Sequence, residues 1–150
     1  MGDKSKSKRI IEIKKLDDTK IISTVKNFAK NYYIVDFDIN ALAKKYYKFA
    51  ELICACCDDD IIGYVSYYAN DNITKTAYIS MVVVKKQYRG KGIAKSMIQK
   101  VIDDCKNRNF KSIRLEVHKT NYAAIQLYTK LGFRIEQYAD GNSLYFNLIF

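Results

Sequence analysis

Residues Gln87-Tyr88-Arg89-Gly90-Lys91-Gly92-Ile93-Ala94 follow an apolar run and lead into an amphipathic one, so the sequence predicts a glycine-bearing turn that opens a helix. A helix start presents free backbone N–H groups and the positive end of the peptide dipoles, which together suit a phosphate or pyrophosphate. Gly90 and Gly92 allow close approach of the backbone to such an anion, and Arg89, Lys91 and Lys95 would add charge-assisted donors around it. Two familiar phosphate loops are excluded by the letters. G-x-x-x-x-G-K-[ST] is absent, and G-x-G-x-x-G fails because Lys95 stands where the third glycine belongs.

A second chemical segment runs from Leu115 to Phe133. Strand alternation places Arg114, Glu116 and His118 on one face and Ile113, Leu115 and Val117 on the other. Glu116 and His118 are the proton acceptors this face offers, although the same three residues also fit a polar surface closed by an ion pair. Asn121 suits a helix N-cap, Ala124, Leu127, Tyr128 and Leu131 form the buried stripe, and Gly132 supplies a left-handed stop. The run Cys54-Ala55-Cys56-Cys57 has the spacing of small apolar residues packed in a strand. With His118 as the chain's one histidine and no second C-x-x-C, the sequence offers no zinc ligand set, and no metal is expected.

These segments need a scaffold. Ile10, Ile11 and Ile13 suggest a first strand; Asp17 and Asp18 open a helix carrying Ile21, Ile22, Val25 and Phe28; and a second helix is expected around residues 40–48. Strands at 50–57 and 61–68 flank the Asp58-Asp59-Asp60 turn, and another follows at 76–84, an antiparallel meander. Ile93, Met97, Ile98, Val101, Ile102 and Cys105 give a long amphipathic helix; strands at 112–117, 133–138 and 143–148 complete the chain around the helix that starts after Asn121. The order is β-α-α-β-β-β-α-β-α-β-β, a mixed α/β architecture with helices on the faces of one sheet.

The 150 residues, without proline or a Ser/Gly-rich linker, are expected to form a single domain spanning 1–150, with residues 1–8 frayed. A 49% hydrophobic and 28% charged composition excludes intrinsic disorder, and no apolar run reaches the ~18 residues of a membrane span. Reduced cysteines and a start that lacks a secretory h-region give a cytoplasmic expectation with no membrane partner. The +10 net charge draws polyanions, a phosphate-bearing ligand or nucleic acid alike. Edge strands near the C-terminus would suit a homodimer.

Together the two chemical segments resemble the GNAT family of N-acetyltransferases. Gln87-x-x-Gly90-x-Gly92 matches the family's acyl-CoA pyrophosphate signature Q/R-x-x-G-x-G/A, and Asn121, Ala124, Leu127-Tyr128 and Leu131-Gly132-Phe133 match N-x-x-A-x-x-L-Y-x-x-x-G-F. The likeness covers about residues 60–138 and departs at Ala94, where glycine is common. It implies a splayed sheet of about seven strands with four helices, and acetyl-CoA as the acetyl-donor co-substrate. Gln87, Arg89, Gly90, Lys91, Gly92, Ile93, Ala94 and Lys95 would hold the pyrophosphate. The Val82 and Val84 backbone and the Asn121 side chain would meet the pantetheine arm, and a bulge near Val82 would aim one N–H at the thioester oxygen.

An alkylammonium acceptor with a pKa of about 10.4 must lose a proton before it attacks. In the family branch that acetylates ribosomal-protein N-termini the base lies in the same Leu-Glu-Val context as Glu116, whereas many members carry an acid at the position of Tyr78. Glu116 is therefore the expected base, with His118 an alternative, and Tyr128 matches the tyrosine that protonates the departing thiolate. The expected reaction is direct transfer to a primary amine of a small molecule in a ternary complex. A macromolecular amine (protein N-terminus, lysine or aminoacyl-tRNA) and a non-catalytic acyl-CoA or nucleic-acid binding module are the alternatives. The helix–helix connection at Asn31–Asp38 and the hairpin at Tyr138–Ser143 are expected to select the acceptor.

Overall fold

In a computed structural model of the chain, the described residues are 10–32, 38–138 and 141–150. Strand β1 (Ile11–Lys15) precedes a 3-10 turn at Asp18–Lys20, helix α1 (Ile21–Tyr32) and helix α2 (Ile39–Phe49). The meander follows as β2 (Glu51–Cys57), β3 (Asp60–Tyr68) and β4 (Thr76–Val84). A 3-10 turn at Lys86–Tyr88 leads into α3 (Ile93–Asn107), then β5 (Ser112–His118), α4 (Tyr122–Lys130), β6 (Arg134–Tyr138) and β7 (Ser143–Ile149). The element order and the expected boundaries agree to within one or two residues. Of the two expected acceptor-selecting connections, residues 33–37 of the first and 139–140 of the second lie outside the described residues.

The strands form one seven-stranded sheet in the order β1-β2-β3-β4-β5-β7-β6. Every neighbouring pair is antiparallel except β4 and β5. That parallel pair runs from Thr76 opposite Ser112 to Ile79 opposite Leu115 and goes no further, although β4 continues to Val84 and β5 to His118. Past Ile79 and Leu115 the sheet is split, and alternate backbone groups on the facing edges are left without strand partners.

Two hydrophobic layers hold the sheet. Leu52, Cys54, Cys56, Tyr64 and Val83 pack beneath α1 and α2 against Ile21, Val25, Phe28, Ala43 and Tyr46. On the other face Ile53, Ala55, Val65, Ile79, Ile113, Leu115 and Val117 meet the predicted α3 stripe Ile93, Met97, Ile98, Val101, Ile102 and Cys105, together with Tyr128 of α4. Gly63 lies under this second layer, where a Cβ would sit 2.8 Å from the Val83 carbonyl oxygen and 3.3 Å from the Met97 methyl carbon. Side-chain bulk is therefore excluded where β3 and β4 come together.

The bulge lies earlier than expected. Ser66 faces Met81 but Tyr67 faces Ile79, so Ser80 is the extra residue of β4, two positions before Val82. The insertion reverses the alternation: Ala77 and Ile79 point to the α3 side, and after Ser80 it is Val82 and Val84 that do so, with Met81 and Val83 on the α1–α2 side. The run of apolar letters conceals such a switch, because both faces of β4 are covered. A hydrogen bond of 2.8 Å between the Ser80 hydroxyl and the Tyr46 phenol ties the bulge to α2.

Candidate active site

The turn after β4 has the expected form. Gly90 and Gly92 both take φ of +78°, a left-handed conformation that favours glycine, and a Cβ at either would meet nothing within 4 Å. The space over their backbone is an open cradle. A cleft of about 280 Å³ lies here, lined by Val84, Arg89, Gly90, Gly92, Ile93, Ala94 and Lys95. Tyr88, Ala123 and Leu127 line it too, residues that the sequence pattern assigned to no ligand. Gln87 is exposed and Lys91 stacks its ammonium over the Tyr88 ring at 5.7 Å; neither lines the cleft. The Arg89 Nε donates to the Val84 carbonyl at 2.9 Å, which pins the guanidinium at the strand end beside the cradle.

A second cleft of about 180 Å³ occupies the split itself, lined by Ile79, Ser80, Met81, Val82, Leu115, Glu116, Val117, His118, Asn121, Ala124 and Tyr128. The structure thus brings Val82, Glu116, Asn121 and Tyr128 together from three elements. Asn121 caps α4, its side-chain oxygen accepting from the Ala124 N–H at 3.2 Å. The Tyr128 ring packs against Phe133 and Phe146 at centroid distances of 5.7 and 6.4 Å. Its hydroxyl makes no hydrogen bond among the described residues, and burial pushes the phenol up to about 12.

Glu116 lies on the opposite face of the sheet, exposed, beside the polar side chains of its neighbours. Its cross-strand partner is Tyr145, and Tyr78 of β4 is held above the ordinary phenol range by burial first and then by the Glu116 carboxylate. The ion pair considered for this face does form, with a different acid: Arg114 Nε is 3.3 Å from Glu136, a contact too poorly aligned to count as a hydrogen bond, while its guanidinium lies 3.8 Å from the Tyr145 ring centroid. Glu116 belongs to none of the ion pairs among the described residues, so its carboxylate faces the cleft unclaimed. His118 Nδ1 is held by the Thr120 hydroxyl at 2.8 Å and accepts from the Thr120 N–H at 3.2 Å. That nitrogen is committed to the turn, which favours Glu116 over His118 as the group able to take a proton.

A further concavity of about 670 Å³, between β1, the start of α1 and the β2–β3 turn, contains none of these residues. Cys54, Cys56, Cys57 and Cys105 are buried free thiols, and no group of three or more potential metal-ligating side chains occurs among the described residues. No helix there is long and apolar enough to cross a membrane.

Comparison with known proteins agrees with this geometry. The N-alpha-acetyltransferase 30 of Schizosaccharomyces pombe is 43% identical over 60 residues, 40% of this chain and 40% of that protein. An N-alpha-acetyltransferase of Saccharolobus solfataricus is 31% identical over 106 residues, 61% of this chain and 64% of that protein. The chain therefore aligns with less than two thirds of either relative's length. The structure of a PaiA N-acetyltransferase from Thermoplasma acidophilum in complex with coenzyme A has the same fold, with a TM-score of 0.70 at 21% identity over 94% of this chain and 99% of that one. The family model described as "Acetyltransferase (GNAT) family" matches residues 19–133, from the first turn of the helical layer to Phe133, just past the glycine that follows α4, and the chain belongs to that family.

Proposed function

We propose that the chain transfers an acetyl group from acetyl-CoA to a primary amine in a ternary complex, and that this amine is the α-amino group of a protein or peptide. The observation that carries the reading is the split between β4 and β5, where a carboxylate from one face of the sheet and a buried phenol from the other line a single cleft. Acetyl-CoA supplies the activated acyl group. The cradle at Gly90 and Gly92, with Arg89 and Lys95 beside it, has the donors and the open space to hold its pyrophosphate. The unpaired edge of β4 from Ser80 to Val84 offers N–H and C=O groups to the pantetheine amides, as an added strand would.

Glu116 takes a proton from the incoming ammonium, leaving the nitrogen lone pair free to attack. Tyr128 stays protonated throughout the neutral range and donates a hydrogen bond to the departing sulfur. The α-amine reading is supported by the two N-alpha-acetyltransferase relatives and reverses the preference for a small-molecule acceptor drawn from the residues alone. A small amine is the second reading, favoured by the modest 180 Å³ of the cleft.

Thiol release from acetyl-CoA, measured against peptides with free N-termini, the same peptides N-blocked but carrying lysine, and polyamines, tests both. Release with free N-termini and a loss of about 100-fold in kcat on Glu116→Gln are expected. Release confined to polyamines would overturn the peptide acceptor, and an undiminished Glu116→Gln would remove Glu116 from the chemistry.

A further inference from the structure

Helices α1 and α2 pack side by side over one sheet face and turn their outer surfaces to solvent. Between them they carry five lysines, Lys26, Lys30, Lys44, Lys45 and Lys48, and not one Asp or Glu, in a chain of 26 basic and 16 acidic side chains. All five are exposed, and none forms an ion pair among the described residues. Unpaired lysine is common in this chain, as Lys95, Lys100 and Lys106 on α3 show, but α3 also carries Asp103 and Asp104, whereas α1 and α2 carry no acid at all. Three acids that flank the helices are already engaged. Asp17 and Asp38 cap helical starts, and Glu51 holds Lys15 and Arg108.

Aromatic rings interleave with this charge. Tyr47 is 53% exposed and Phe49 52%, both at the end of α2, with the Lys48 ammonium 5.4 Å from the Phe49 ring centroid. Spacing on the helix groups Lys44, Tyr47 and Lys48 on one face. Unpaired lysines with accessible rings between them make a surface for a phosphate backbone whose bases can stack. An acidic protein would satisfy the charge as well, and competition by polyglutamate separates it from RNA.

The surface also borders the acceptor side of the split. Lys45 lies over the Tyr68 ring at 5.6 Å, Tyr68 is paired in register with Tyr78, and Tyr46 of the same helix bonds the Ser80 bulge. From these placements we infer that the α1–α2 face is an RNA-binding surface, which docks single-stranded or looped RNA beside the mouth of the acceptor cleft. The inference is independent of which amine is acetylated.

Anisotropy of a labelled 20-nucleotide single-stranded RNA with the full chain, in excess CoA to fill the glycine cradle, tests it. Binding that falls with salt at a log–log slope of about −3 is expected, since each lysine–phosphate contact on a single strand contributes about −0.7. The quadruple change Lys26→Glu, Lys30→Glu, Lys44→Glu and Lys48→Glu should weaken binding about 30-fold or more and flatten that slope. Lys100→Glu on α3 should change neither. Tyr47→Ala should weaken binding severalfold at unchanged slope. Because the substitutions sit on the helices, they separate this face from the basic N-terminal sequence. If the quadruple variant does not fold, Lys44→Gln with Lys48→Gln must still weaken binding measurably. No binding at low salt, insensitivity to the helix substitutions, or equal competition by polyglutamate at matched charge would overturn the inference, the last in favour of an acidic protein partner.

Discussion

Replacing Tyr128 by phenylalanine separates chemistry from packing in one step. The ring packs against Phe133 and Phe146, and its hydroxyl has no hydrogen-bond partner among the described residues, so Phe keeps the aromatic contacts and breaks no hydrogen bond within the chain. Unfolding stability should change by no more than about 0.5 kcal/mol, in either direction. Catalysis should respond very differently. A phenol pushed up to about 12 lies about 3.5 units above a thiol of about 8.5, so complete proton transfer to the leaving sulfur is uphill and the hydroxyl acts as a hydrogen-bond donor. A hydrogen bond to a charged group contributes roughly 1.5–3 kcal/mol, equivalent to about a 10- to 150-fold loss of kcat. For the same reason the wild-type kcat profile should show no basic limb from this phenol below about pH 11. Stopped-flow thiol detection at saturating acetyl-CoA reads the rate, and urea titration reads the stability. A kcat within threefold of wild type would refute the assigned role, and a loss of several kcal/mol in stability would refute the account of the packing.

Three further outcomes follow from the same geometry. Gly92→Ala places a Cβ in open space but at φ of +78°, so it should cost about 1 kcal/mol of stability and raise KM for acetyl-CoA severalfold at nearly constant kcat. Gly63→Ala forces a Cβ to 2.8 Å from the Val83 carbonyl, and calorimetry should show a loss of roughly 1–3 kcal/mol. Burial pushes the Cys105 thiol up to about 12, so above about pH 8.5 the unfolded chain ionises while the folded one does not. This contribution is complete below about pH 8.5 and falls with rising pH by about 1.4 kcal/mol per unit until the folded thiol ionises in turn. Urea titrations from pH 7.5 to 10.5 should therefore show a shallower decline for Cys105→Ala than for wild type; equal slopes would contradict this.

Features governed by regular periodicity were legible before the fold was known. The α3 stripe, the Asn121 cap, the left-handed stop at Gly132 and the outward face of Glu116 follow from spacings of 3.6 and 2. The Ser80 bulge did not follow, because a strand covered on both sides is apolar at every position and hides a one-residue insertion. Nor did Tyr88, Ala123 and Leu127 declare themselves as lining residues, since the pyrophosphate signature marks backbone conformation, whereas the cleft wall is set by how α4 leans on the turn. The partner of Arg114 was equally hidden: Glu136 reaches it only because β7 and β6 fold back beside β5.

The split in the sheet has a mechanical consequence. Along the seam between β4 and β5, the meander and its helices form one leaf and β5 to β7 with α4 the other, and the strand ladder stitches them over only four residue pairs, Thr76 with Ser112 to Ile79 with Leu115. Glu116 and Tyr128 both belong to the second leaf, while the bulged edge of β4 belongs to the first. Under the proposed function, a donor molecule spanning the opening would replace the missing stitches with its own amides and set the spacing between the leaves. On that reading the ligand would be a strut of the sheet, and its arrival would complete the alignment of proton acceptor, phenol and acyl carbon.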